Sequence, residues 1–137
     1  MGAHVLGPAF LRDVLLPEGK ILGWSDSWFA GFPAFYFYFP LPSLFIVFLD
    51  LFLPYGVAFK VVTVLGLIGL PPAVLYLSRS IGFNRTVSAM GAGGAAVFAL
   101  MESYTIYGGN VASTMAGEFA YSWSFSLGFV YLGLLIN

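Results

Sequence analysis

The chain has 137 residues, 60% of them hydrophobic and 8% charged, with a net charge of −1 and no cysteine. Soluble domains carry roughly 25% charged residues, so this composition leaves too few charges to solvate a surface and predicts an integral membrane protein of one domain. The missing cysteine excludes a disulfide framework, a thiolate nucleophile and a Cys-ligated zinc, and the charge balance excludes nucleic acid, which needs clustered Lys and Arg.

Residues 1–41 read as a water-facing or interfacial loop. They hold His4, Arg12, Asp13, Glu18, Lys20 and Asp26, half of the ionisable groups. Pro8, Pro17, Pro33 and Pro40 break any long helix there, leaving a short amphipathic helix from about Pro8 to Leu16. Met1 to Leu11 lack a basic region followed by an apolar run, so no secretory signal is legible. The segment from Trp24 through Trp28-Phe29 and the run Phe35-Tyr36-Phe37-Tyr38-Phe39 place aromatics beside polar residues, as in a membrane interface layer.

Pro42 to Leu53 is apolar except for Asp50 and is closed by Pro54. About 20 residues are needed for a helical span, so residues 42–54 are predicted to form a helix lying in the membrane surface; a span completed by the preceding aromatics is the alternative. Residues 57–78 form the clearest transmembrane helix. Lys60 can snorkel to its interface, and Gly66, Gly69 and Pro71-Pro72 predict a kink with close helix contact. After a short polar turn, residues 86–102 form a second span whose Gly91–Ala96 stretch offers a small-residue packing face. Residues 103–118 read as a polar, Gly-rich loop, and a third span covers 119–137. The predicted fold is all-α: a polytopic transmembrane helical bundle with an N-terminal extracytoplasmic loop and an interfacial helix. The start in a polar loop and the end within the apolar run Phe125–Ile136 are what a fragment of a longer multi-span protein would show, with its remaining helices as partners.

Arg79 and Arg85 flank the turn after the first span, whereas the 103–118 loop has no Lys or Arg. The positive-inside rule puts 79–85 in the cytoplasm. If 42–54 does not cross, residues 1–41 and 103–118 share the extracytoplasmic face of a multi-pass cell-membrane protein.

The candidate chemistry lies in these two loops. Asp26, between Ser25 and Ser27 and flanked by Trp24 and Trp28, can hydrogen-bond a sugar hydroxyl while a ring stacks on the sugar, or hold a divalent cation; alternatively it caps a helix starting at Ser27. Asp13 and Glu18 read as solvated charges. His4, the single histidine, cannot by itself make a histidine-rich zinc site, but it can act as a ligand, a base or a phosphate contact. Glu102, Asn110 and Glu118 line the second loop, and carboxylates at membrane depth are functional candidates; helix-end carboxylates in water are the simpler alternative. Asp50 reads as the polar face of the interfacial helix. No phosphate loop, dinucleotide fingerprint, HExxH or GxSxG occurs. The Asn84-Arg85-Thr86 sequon falls in the predicted cytoplasmic turn, where no glycan is added.

Gly2-Ala3-His4, Pro8, Phe10-Leu11, Gly23-Trp24 through Trp28-Phe29-Ala30-Gly31-Phe32-Pro33, Tyr38-Phe39-Pro40-Leu41-Pro42, and Pro54-Tyr55 through Ala58-Phe59-Lys60 resemble membrane proteins labelled "6-pyruvoyl-tetrahydropterin synthase-related". The resemblance runs over the whole chain and is strongest over residues 2–60. Pterin synthases themselves are soluble zinc enzymes with several histidine ligands, unlike this chain. The layout is similar to multi-span glycosyltransferases of the C superfamily, which take sugars from polyprenyl-phosphate donors. That similarity implies a first span and a catalytic acid upstream of Met1. It leaves Asp26 and Glu118 as the catalytic candidates here, with His4 as a contact to donor phosphate; Trp24, Trp28, Glu102 and Asn110, read from the two loops themselves, are the further substrate-contact candidates. A transporter or lipid-handling protein, and a structural membrane subunit, are the competing readings.

Overall fold

The computed structural model describes residues 2–27, 29–103 and 107–137, and helices carry most of that backbone. Two units divide the chain, Met1–Val62 and Thr63–Asn137, each with its own packing.

The first unit begins with a 3-10 turn (Gly2–Val5), α1 (Leu6–Phe10), a π turn (Leu11–Leu15) and a 3-10 turn (Leu16–Glu18), closed by Gly19 at φ 68°. This helical segment is longer than the predicted Pro8–Leu16 helix. Pro8 and Pro17 do not break it because each falls in the first turn of its element, where no backbone N–H is required. The loop also contains a hairpin that the all-α expectation omits: β1 (Gly23–Ser25) pairs antiparallel with β2 (Phe32–Ala34), Trp24 opposite Pro33. Asp26 and Ser27 lie in its turn, so Asp26 does not cap a helix. The core of this unit is Leu11, Leu15, Ala34 and Phe35, against which Phe10, Leu44 and Val47 pack. Leu44 and Val47 belong to α2 (Leu41–Asp50), which has a proline in its first turn and ends at Asp50, within the predicted 42–54.

From the first unit α3 (Tyr55–Ile68) leads into the second, and α4 (Leu70–Ser80) continues it past Gly69. The break falls inside the predicted Gly66–Pro72 kink, where Pro71 and Pro72 withhold the N–H groups that would reach Leu67 and Ile68. The Ser126 hydroxyl donates to the Gly66 carbonyl at 2.8 Å, just before the break. Next comes α5 (Arg85–Ala99), capped by Asn84, whose side chain accepts from the Val87 N–H at 2.9 Å. It stops short of the predicted 102 and is about 22 Å long at 1.5 Å per residue. The last helical run also departs from expectation. It starts at Val111 rather than near Phe119, through α6 (Val111–Ser113), a π turn (Thr114–Glu118) with Gly117 at φ 132°, and α7 (Phe119–Ile136). Among the described residues, two helices are long and apolar enough to cross a membrane, Tyr55–Ser80 and Val111–Ile136.

Glycines set the helix packing in this unit. A Cβ on Gly66 would meet Trp123, one on Gly69 would meet Ser126, and one on Gly133 would meet Tyr76. The sequence separation of these pairs is constant, so α3–α4 and α7 run parallel. Gly91 faces Val74 and Ser78, and with only residues 81–84 between the two helices α5 returns antiparallel to α4. The predicted small-residue face is only partly used: Gly93 and Gly94 look into open space. This up-down-up order puts Arg79 and Arg85 at one end of the unit and Glu102 and Glu118 at the other.

Candidate functional site

The hairpin presents the first candidates. Asp26 is exposed in its turn, Trp24 on β1 is 59% exposed and Phe29 is 98% exposed. The indole of Trp24 lies over Gly31 (φ 92°), so close that a Cβ there would sit 2.3 Å from the indole nitrogen. Glycine is what allows that ring to come so close to the turn. Trp28, the other flanking candidate, lies outside the described residues. His4 is half-buried with its Nδ1 3.5 Å from the Tyr38 hydroxyl and the two rings tilted against each other. Burial pushes its pKa down, so it is a neutral imidazole at neutral pH.

The most tightly built polar cluster in this unit is one that sequence reasoning missed. Arg12 donates from Nε and Nη2 to both Asp13 oxygens, at 2.6 and 2.9 Å, and from Nη1 to Asp50 Oδ2 at 2.6 Å. Its guanidinium also lies 5.2 Å from the ring centroid of Tyr55, whose hydroxyl donates to the Val5 carbonyl. The two hydrogen-bonded carboxylates raise the Arg12 pKa, Asp13 first, and Arg12 holds the Asp13 carboxyl below the usual carboxylate range. Asp50 is therefore not a water-facing group: its side chain is 14% exposed and turned into the unit. The available signal was a lone carboxylate in an apolar helix, which needs a cation. With three of its donors engaged, Arg12 serves to join segments rather than to bind an anion.

In the second unit the candidates separate. Asn110 is buried and accepts from the Ser113 N–H at 2.8 Å, while Ser113 Oγ accepts from the Gly108 N–H at 3.1 Å. Asn110 is thus the cap of α6, not an open contact for substrate. Glu102 is exposed beyond the end of α5, and Glu118 is half-buried at the kink after Gly117. Behind the kink, the Thr114 and Ser122 hydroxyls share a buried hydrogen bond of 2.8 Å. A cleft of about 160 Å³ is lined by Leu65, Gly66, Gly69, Trp123, Ser126 and Val130. Among the described residues, no three Asp, Glu or His side chains gather as a metal site would require.

The structure thus places Asp26, Trp24 and His4 in the first unit and Glu102, Asn110 and Glu118 in the second. Of these, Asp26 and Trp24 share one hairpin, and Asn110 is committed to the fold. No family model, curated protein or solved structure matches the chain.

Proposed function

We propose that this chain is a multi-pass membrane protein of the glycosyltransferase type, acting on a polyprenyl-phosphate-linked sugar at the outer face of the cell membrane. One observation carries the reading: an exposed carboxylate, Asp26, on the turn of a hairpin whose first strand displays the indole of Trp24. That pairing lets a protein hydrogen-bond a sugar hydroxyl while stacking a ring on its face. In this reading Asp26 deprotonates the acceptor hydroxyl and His4 contacts donor phosphate, while Glu118 is the acidic candidate of the second unit taken by itself. A cationic group or divalent ion steadies the leaving phosphate. The proposed topology follows the charges of the second unit. Its arginine end faces the cytoplasm, and its Glu102–Glu118 end faces outward with residues 1–41.

The test is sugar transfer from a radiolabelled polyprenyl-phosphate sugar by membranes containing the protein. Asp26→Asn is expected to lower turnover by about 100-fold or more, the usual size of a general-base contribution, with Trp24→Ala raising KM. Unchanged turnover in Asp26→Asn at equal protein level removes the catalytic role.

A second reading is a structural membrane subunit without catalysis. It is favoured by the internal use of polar groups: Asn110 caps α6, and Arg12 is tied to Asp13 and Asp50. Under that reading both variants leave any activity of the membranes unchanged.

A further inference from the structure

The helix α2 is apolar on the wrong side for a helix in water. Leu41, Phe45 and Phe48 recur at i, i+4 and i+7, one stripe at 100° per residue, which Phe52 in the turn after the helix extends; all four are exposed, Phe48 by 53% and Phe52 by 73%. The rings of Phe45, Phe48 and Phe52 form a continuous ladder, with centroids 6.1 and 5.6 Å apart. The opposite face is buried: it holds Ile46 and the polar groups Ser43 and, half a turn from Phe48, Asp50 on Arg12, with Leu44 and Val47 beside them on the core. A helix docked on a soluble core is apolar on its buried face and polar on the exposed one, whereas α2 is apolar on both.

We propose that this phenylalanine stripe is a docking surface for lipid, seated at the boundary between headgroups and acyl chains, and that the Arg12–Asp50 ion pair sets the roll of α2 that turns the stripe outward. The proposal depends on the membrane reading above. Three observations favour lipid over a protein partner. The stripe has no charged or hydrogen-bonding side chain with which a protein would be recognised. Phenylalanine and leucine are the residues by which surface-lying helices enter a bilayer. The helix also ends at Asp50, and the span-length helix Tyr55–Ser80 begins after only residues 51–54. That linker reaches about 14 Å at most, which keeps α2 within the headgroup layer if that helix crosses. Asp50 on the inner face cannot roll toward lipid without leaving Arg12, so the pair opposes the one rotation that would hide the phenylalanines.

The absence of cysteine makes the test direct. Single cysteines carrying a nitroxide are placed at Phe48, Phe45, Lys20 and Leu134 of the full chain in phosphatidylcholine–phosphatidylglycerol vesicles. Collision rates with oxygen and with a neutral nickel chelate are then measured. At Phe48 and Phe45 the oxygen-to-nickel ratio is expected to exceed that at Lys20 several-fold, and Arg12→Gln is expected to bring the Phe48 ratio down toward the Lys20 value. Asp13→Asn, which leaves the Arg12–Asp50 contact in place, is expected to keep it high. A Phe48 ratio equal to that at Lys20 overturns the proposal, and so does shielding of Phe48 from both reagents, which would mark a second copy or another protein on the stripe. Leu134, 63% exposed on α7, separates the two failures. A lipid-like Leu134 beside a water-like Phe48 sinks the docking surface alone, whereas a water-like Leu134 sinks the membrane reading and the docking surface with it.

Discussion

Arg12 Nη1 lies 2.6 Å from Asp50 Oδ2 across 38 residues of sequence, and the same guanidinium grips Asp13 through its other donors. The Asp13 carboxyl is held below its ordinary pKa, chiefly by the hydrogen bonds from Arg12. A depressed folded-state carboxyl stabilises the fold at pH values above its unfolded pKa of 3.8. That contribution is lost as the pH falls through the lowered folded value. Thermal unfolding in detergent should therefore show wild type above Asp13→Asn at neutral pH, with the gap closing on acidification. A gap that stays constant with pH would show that Asp13 acts through something other than its charge. Exposure of both side chains keeps the effect small, whereas Arg12→Gln should be the more damaging change, since it also strands the mostly buried Asp50.

His4 gives a second pH signature of the same sign in a higher pH window. Burial lowers its folded-state pKa, so the unfolded chain takes up the proton first. Stability from this group should decline as the pH falls through the unfolded value of 6.5 and level off below the folded one. Replacing His4 by Gln, which cannot titrate, should flatten the Tm-against-pH curve in that window. A slope that persists in His4→Gln would assign it elsewhere.

Two glycine substitutions distinguish a packed helix face from an open one. A Cβ on Gly66 would come within 2.9 Å of the Trp123 backbone nitrogen, which cannot move without shifting α7. Gly66→Ala should thus cost about 1–3 kcal/mol, the usual range for overpacking. It should also disturb the bond from Ser126 to the Gly66 carbonyl, which alone is worth about 0.6 kcal/mol between membrane helices. Gly94 has nothing within 4 Å of a built Cβ, so Gly94→Ala should be neutral or stabilise by up to about 1 kcal/mol through helix propensity. Equal effects of the two on unfolding in detergent would contradict the packing order of α3, α5 and α7.

Legibility in the sequence follows the range of the interaction concerned. The helices of residues 55–99 were readable because apolar runs and local breakers mark them, and Pro71-Pro72 located the break at Gly69 within a few residues. The start of the last helical run was misread, because Gly108-Gly109 suggested a loop continuing to Gly117. Asn110 in fact caps a helix, and Gly117 interrupts it at φ 132°. The hairpin was hidden for a different reason. Phe29 between its strands and Phe35 just after β2 stand at φ 50° and 64°, conformations that side-chain type advertises only when glycine or asparagine occupies them. Least legible was the Arg12–Asp50 pair, since contact across 38 residues has no local signature. Of the site candidates, the proximity of Asp26 to Trp24 was readable from spacing, while the capping role of Asn110 was not recognised.

The position of Trp24 offers the sharpest test of the hairpin. Gly31 adopts φ 92°, and a Cβ there would meet the indole nitrogen at 2.3 Å and the Ser25 carbonyl oxygen at 3.0 Å. The indole can swing away, but the carbonyl belongs to the β1 backbone and cannot. Gly31→Ala should therefore pay left-handed strain of about 1–2 kcal/mol and in addition displace Trp24. Gly19 isolates the first effect, because it has φ 68° but open space around its Cβ position. With Trp28 and Trp123 replaced by Phe, the fluorescence of Trp24 should shift toward that of a solvated indole in Gly31→Ala and stay unchanged in Gly19→Ala. If Trp24 stacks on a sugar, KM for the lipid-linked donor should rise in the first variant and not in the second. Matching fluorescence in the two variants would mean that the ring does not rest on Gly31, and the sugar platform would lose its structural basis.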